Sequence, residues 1–443
     1  MATTLERTSN SSKTDHESRS VGSTSKEQEH LVEDVPSEVE DPSKTLTATL
    51  TAAGAFLVYF TQFGVLNSAG VLQSQYATDQ LKGINDSKIS WIGTFQLFFY
   101  FFGGSFVGPC FDAVGPTVLL IVGSFLIIFG HMMVSLCKEY YQFFLAQGVV
   151  IGFGGAMVFY PALSSSAQWY EKKRGTMLGI TTCGTALGAV VFPIALNKLI
   201  VAVGFPWAVR IIGFICLGLL TPATLMIRAR LPRRGFTGFR NVVDFGGLKE
   251  SGYLLSLIGA FVLTLGLFQP LFFSETFSIE RNYNINISLY DVAILNAGAF
   301  FGRLFPGILA DRFGPVNMVA LFCTLAGITF FCWLSIVSPA GFVVWVFFYG
   351  VVSGAYITLL PACIAQFTPD MSTYGARTGL FFGIVSFAAL AGPPIAGAIL
   401  DAGGQGATHF NNMIYFSGSL TLAGAMLFWV ARFVNRPRLL SKY

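Results

Sequence analysis

Gly307-Ile-Leu-Ala-Asp311-Arg312-Phe-Gly314 follows an apolar run of the sequence, and Gly108-Pro-Cys-Phe-Asp112-Ala-Val-Gly115 follows another. In both, an aspartate stands four residues after one glycine, and a second glycine comes three residues later. The two aspartates lie 199 residues apart, and their surroundings recur at nearly the same spacing. Gly148 and Gly152 return as Gly350 and Gly354, Tyr160-Pro161 as Leu360-Pro361, and Arg174 as Arg377. Features that recur in one order at one offset mark an internal duplication.

Outward from these loops the chain divides into twelve apolar spans, at 48–72, 88–108, 117–136, 142–166, 176–201, 207–228, 251–277, 289–309, 317–337, 341–366, 379–402 and 412–434. Each reaches the ~20 residues that a helix needs to cross about 30 Å of hydrocarbon. Helix is the open-chain solution there, because backbone N–H and C=O groups must be satisfied within the segment. A β-barrel would need alternating runs of about ten residues. Short polar breaks, Lys138-Glu139 and Ser338-Pro339, predict tight hairpins between the third and fourth and the ninth and tenth spans. The fold class is therefore all-α integral membrane, with twelve transmembrane helices in two six-helix pseudo-repeats. Residues 1–45 read as a disordered tail, 46–228 as an N-terminal bundle, 229–250 as a linker, 251–434 as a C-terminal bundle and 435–443 as a second tail. Parallel repeats of this kind place a substrate site near the midplane between the halves.

Composition agrees. Of 443 residues, 53% are hydrophobic and 11% charged, against about 25% charged in a soluble domain. Too few polar side chains exist to cover a water-facing surface. The net charge of +4 divides into −5 over residues 1–45 and +9 over the remainder. The first 45 residues are rich in Ser, Thr, Glu and Asp and lack the apolar core of a signal peptide. They read as a solvated spacer, with phosphoregulation or turnover control as the alternative. With this tail inside, 15 Lys and Arg fall on the inner side and 6 on the outer. The positive-inside bias thus predicts two cytosolic termini. Two N-x-S sequons, at Asn85 and Asn286, fall outside and are candidate glycosylation sites. No basic patch has the density of a nucleic-acid binder. The seven cysteines are scattered without a CxxC, and the four histidines are far apart. No disulfide framework, metal site or cofactor is expected. The Gly152-Phe-Gly154-Gly155 run lacks the preceding strand of a nucleotide loop and reads as helix packing.

Five GxxxG pairs stand at equivalent places in the halves: Gly104/Gly108, Gly175/Gly179, Gly184/Gly188, Gly298/Gly302 and Gly379/Gly383. Such spacing brings helix backbones together. The pairs are expected at gliding contacts between moving halves, or in static packing.

Three further stretches carry a resemblance. Trp169-Tyr-Glu-Lys172-Lys173-Arg174-Gly175 runs into the glycine-rich fifth span, Asn67-Ser-Ala-Gly70-Val lies in the first, and Asn296-Ala-Gly298-Ala-Phe-Phe-Gly302-Arg303 in the eighth. With the Gly307–Gly314 loop and the six-plus-six plan, residues 46–434 resemble the major facilitator superfamily, and more narrowly its monocarboxylate-porter branch in fungal form. The resemblance implies a secondary transporter. Animal lactate carriers of that branch have an acid one turn before the span-eight arginine and a lysine in span one. Here those positions are Ala299 and Asn67, so a different cargo is implied, and fungal relatives carry varied ones.

Arg303 is the one base well inside a predicted span. A charge there costs at least about 2.5–3.5 kcal/mol, so it should face a cavity or a partner. A guanidinium binds carboxylates bidentately, which fits an anionic or carbonyl-rich substrate. The alternatives are a clamp to Asp311 or snorkelling to the interface. Asn296 lies two turns earlier on the same face. Asn67, Gln62 and Tyr160 complete the candidate substrate-binding set, each with interhelical hydrogen bonding as the structural alternative. Asp112 and Asp311, at inner helix ends, are expected to pair with helix N-termini or with Arg312 as a gate. Glu275, Asp291 and Asp401 read as solvated helix ends, and His131 as a packed histidine, with proton binding the alternative. The function expected is alternating-access transport of a small organic anion such as a monocarboxylate, or efflux of a secondary metabolite, not enzymatic catalysis. The competing reading is a transport-dead membrane sensor. A small molecule, a co-transported proton and the lipid bilayer are the expected partners of a monomer in the plasma membrane.

Overall fold

A computed structural model describes residues 42–233, 235, 245–283, 285–402 and 410–435. Nearly all of both expected tails, residues 234 and 236–244 of the expected linker, and His409 lie outside the described residues, as do Arg234, Arg240, Arg436, Arg438 and Lys442. Among the described residues, twelve helices are long and apolar enough to cross a membrane. They are α1 (Leu46–Gln80), α2 (Lys88–Val114), α3 (Pro116–Val134), α4 (Tyr140–Trp169), α5 (Arg174–Val203), α6 (Phe205–Met226), α7 (Ser251–Glu280), α8 (Tyr290–Phe313), α9 (Pro315–Ser335), α10 (Pro339–Gln366), α11 (Met371–Ala402) and α12 (Asn411–Val434). No β-strand occurs among the described residues. The protein is an all-helical, multi-pass membrane protein, and the connections before α4 and α10 are the short ones expected.

The repeated glycines make the corners. Gly115 and Gly314 adopt φ of +81° and +91°, a region closed to most side chains. Pro116 and Pro315 follow and open α3 and α9. Proline has no N–H to leave unpaired in a first turn, and its fixed φ suits a helix.

Packing repeats with the sequence. α1 packs on α5 and α6, as α7 packs on α11 and α12. α3 packs on α4 and α6, as α9 packs on α10 and α12. α2 meets α4 as α8 meets α10. Two further contacts join the halves and are also images of each other: α5 on α8, and α11 on α2. The end of the bundle at which α1 begins is called the near end below, the opposite one the far end.

The glycine pairs divide between two places, contacts between the halves and packing within one half. A Cβ on Gly175 would stand 2.5 Å from the Gly307 carbonyl oxygen, and one on Gly179 2.6 Å from that of Arg303. Gly375 would meet the Gly108 carbonyl at 2.5 Å, and Gly379 faces the Gly104 carbonyl. These lie between halves. Gly184 and Gly188, by contrast, face Phe56 and Phe60 of α1, and Gly298 and Gly302 face Phe347 and Val351 of α10. Those contacts are internal to one half. Gly302→Ala should therefore force α8 off α10 and lower stability by about 1–3 kcal/mol. Gly218→Ala, with no atom within 4 Å of the new methyl, should be neutral or slightly stabilising. Thermal unfolding of the detergent-purified variants checks both.

Candidate functional site

At the near end each half holds the other through a carboxylate and a helix N-terminus. Asp112, at the end of α2, accepts from Gly375 N at 3.2 Å and Ala376 N at 2.8 Å in the first turns of α11. Asp311, at the end of α8, accepts from Gly175 N at 2.7 Å, Thr176 N at 2.8 Å and the Thr176 hydroxyl at 2.5 Å in α5. First-turn N–H groups have no partner within their own helix and carry its positive dipole end, so an anion fits there. Arg312 is exposed, and no hydrogen bond or ion pair to it occurs among the described residues. It takes no part in these contacts; of the two partners expected for the aspartates, the helix N-termini are the ones engaged. The flanking arginines repeat too. Arg174 Nε donates to Ala167 O at 3.1 Å, and Arg377 Nη1 to Phe367 O at 2.6 Å, each tying down the end of its half's fourth helix. Arg377 alone adds a carboxylate partner, Glu250, at 2.6 Å.

Arg303, midway along α8, is 4% exposed. Its Nε and Nη1 are buried without a hydrogen-bond partner. The clamp to Asp311 is not formed, because that carboxylate is engaged by α5. Snorkelling is also excluded by burial. Asn296, on the same face, is buried and donates to Val292 O of its own helix at 2.9 Å.

The candidates on α1 and α4 separate. Asn67 is only half-buried and donates to Phe63 O at 2.8 Å. Gln62 is buried, and its Nε2 has no partner. It belongs to an aromatic cluster with Tyr160. The Phe159 ring lies 5.4 Å from Tyr59, 5.1 Å from Tyr100 and 5.1 Å from Tyr160. Tyr160 donates to Phe101 O at 2.9 Å, whereas the Tyr59 and Tyr100 hydroxyls are buried and unpartnered. Tyr100, Phe159 and Phe382 were not legible as site residues in a chain with 45 phenylalanines. One signal existed: Tyr100 is the single hydroxyl in the run Phe98-Phe-Tyr100-Phe-Phe102.

Asp291 departs from expectation. It is 1% exposed, and its Oδ2 is buried without a partner, so it is no solvated helix end. Ser274 and Glu275 of α7 lie beside it. Glu275 and Asp401 are exposed. His131 is buried with Nδ1 2.8 Å from Ile127 O, a packed histidine. Asn85 is exposed in the far-end connection between α1 and α2. The side chain of Asn286 lies outside the described residues.

Similarity to known proteins covers the same region. The sequence profile of the Major Facilitator Superfamily matches residues 51–348 and 292–442. The chain is 37% identical over 392 residues to the MFS-type transporter pynF of Aspergillus niger, covering 88% of this chain and 89% of that one. It is 39% identical over 395 residues to the aspyridones efflux protein apdF of Emericella nidulans, covering 89% and 79%. Among solved structures, a bacterial homologue of the iron transporter ferroportin in an outward-facing state superposes with a TM-score of 0.69 at 14% identity, covering 88% of this chain and 100% of that one. The duplicated six-helix plan, the carboxylate contacts that join its halves and these matches together establish that the chain belongs to the Major Facilitator Superfamily of membrane transporters.

Proposed function

We propose that the protein exports a small acidic secondary metabolite by alternating access, with Arg303 taking the acidic or carbonyl-rich group of the cargo. The observation that carries this reading is the state of Arg303, a guanidinium buried within a span with two nitrogens lacking partners. An uncompensated charge at that depth is costly, and an anionic ligand offers the missing acceptors. The efflux activity named for the Emericella nidulans relative supports export, and the resemblance to the monocarboxylate-porter branch supports an acid as cargo. Asn296, Gln62, Tyr160 and Asn67 supply further polar contacts, Asn67 from the margin. Asp112 and Asp311 form the near-end gate. The protein works as a monomer in the plasma membrane, with cytosolic termini, two separate six-helix bundles and a glycan at Asn85. Proton coupling runs through Asp291, a carboxylate buried in the first turn of α8, since buried membrane acids serve as proton relays.

Purified protein in lipid vesicles tests this with labelled benzoate, 6-hydroxy-2-naphthoate and octanoate, with and without a pH gradient. Flux of at least one acid, accelerated by the gradient, is expected. Asp291→Asn should transport with the gradient response lost. Absence of flux for every acid overturns the transport reading, and an undiminished gradient response in the variant removes Asp291 from coupling.

A further inference from the structure

Arg303 accounts for one end of an acidic cargo, and the half containing α1, α2 and α4 offers a place for the other. We propose that Tyr59, Gln62 and Tyr100, walled by Phe63, Phe101 and Phe159, form a subsite for a flat aromatic ring bearing oxygen acceptors, and that Phe382 of α11 plugs it while the near end is closed. The assignment rests on the transport reading above and names the class of cargo it serves.

Three polar groups of this cluster, the Tyr59 hydroxyl, the Tyr100 hydroxyl and Gln62 Nε2, are buried without a hydrogen-bond partner. Each carries a desolvation penalty that phenylalanine or leucine in the same space would avoid. Tyr160, one ring away, shows the contrast, since its hydroxyl is satisfied by Phe101 O at 2.9 Å. The unpaired groups sit together. A Cβ on Gly155 of α4 would stand 2.7 Å from Tyr100 Cδ2 and 3.0 Å from Gln62 Oε1, so both side chains lie over that glycine. Tyr59 joins them through Phe159 at 5.4 Å, and Phe63 lies 5.7 Å from Tyr100. The donors are neutral, so they suit carbonyl, enol or phenol oxygens rather than a second full charge.

The walls supply the other half of the chemistry. Phe382 lies nearly parallel to Phe101, with centroids 5.7 Å apart and planes at 18°, and 6.2 Å from Tyr160. It comes from the opposite half, on the helix that the Asp112 contact and the Gly104–Gly379 approach hold against α2. Movement of α11 away from α2 withdraws Phe382. It leaves an uncovered aromatic face beside three hydrogen-bonding groups that need partners. A planar oxygenated ring replaces both the stacking and the bonds. An aliphatic acid replaces neither.

Equilibrium binding of labelled 6-hydroxy-2-naphthoate and octanoate to the detergent-purified full chain tests this. The naphthoate is expected to bind at least about tenfold tighter than octanoate. The double variant Tyr59→Phe/Tyr100→Phe should lose about tenfold in naphthoate affinity, two neutral hydrogen bonds' worth, with octanoate binding unchanged. Arg303→Lys should weaken both. The double variant's melting temperature should stay level or rise, because unpaired buried hydroxyls are removed. A melting temperature several degrees lower would show that the hydroxyls brace the fold, and overturns the proposal. Unchanged naphthoate affinity in the double variant, with Arg303→Lys still weakening both probes, overturns the subsite and leaves the transport reading standing. Failure of the naphthoate to bind also overturns it, while vesicle flux of the acid panel judges the transport reading separately.

Discussion

Arg303→Lys is expected to lower the transport kcat/KM by about a hundredfold. Lysine keeps the charge but presents a compact ammonium in place of a planar fork, so a bidentate pair with a carboxylate is lost. Two charge-assisted hydrogen bonds at ~1.5–3 kcal/mol each, partly recovered by the ammonium, account for a change of that size. Folding should survive, since Nε and Nη1 of the native side chain bond nothing in the unliganded protein. Arg303→Leu makes the complementary case. It should abolish uptake of acids and raise the melting temperature, because a buried, unpaired charge disappears. Vesicle uptake and thermal unfolding on the same preparations separate the two effects. Wild-type kinetics in Arg303→Lys would remove this residue from the cargo site.

Neutralising both near-end carboxylates, Asp112→Asn with Asp311→Asn, should shift the protein toward a near-end-open state by about a hundredfold in population ratio. Each native carboxylate accepts two main-chain N–H groups of the opposing helix. Loss of its charge forfeits the dipole attraction, ~0.3–1 kcal/mol and up to about 2 when partly buried, and weakens those bonds. Summed over two contacts this reaches the ~2.7 kcal/mol that a hundredfold shift requires. Asp311 also accepts from the Thr176 hydroxyl. Spin labels at Lys173 and Arg312, both exposed on the near ends of α5 and α8, report the separation by pulsed electron resonance, with the native cysteines replaced. Unaltered distance distributions in the double variant would deny these aspartates a gating role.

The bilayer makes the fold easy to read from such a chain. Twelve long apolar spans admit only helices, and the recurrence of Asp112 as Asp311 and Arg174 as Arg377 pairs them off. Boundaries were less legible. α1 was expected to end near residue 72 but runs to Gln80, because Gln73, Ser74, Gln75 and Asp79 mark the exit from an apolar phase, not the end of helical hydrogen bonding. The site was legible only where charge made a residue conspicuous. Arg303 stood out against its span. Asp291 stood out less, because nothing in the sequence separates a carboxylate near a helix end that is bathed in water from one covered by Ser274 and its neighbours. The tyrosine cluster depends on which aromatic rings meet across α1, α2, α4 and α11. Periodicity does not encode such meetings between distant segments.

The donors that fasten α5 and α11 to their opposing aspartates are peptide nitrogens, present whatever side chains those helices carry. Drift in the two helices therefore leaves the fastening chemistry intact, provided that the small residues permitting close approach are kept. Side chains elsewhere in the interior are free to vary without disturbing that fastening. A chain fastened through its main chain keeps one frame while its lining is refitted to a different molecule.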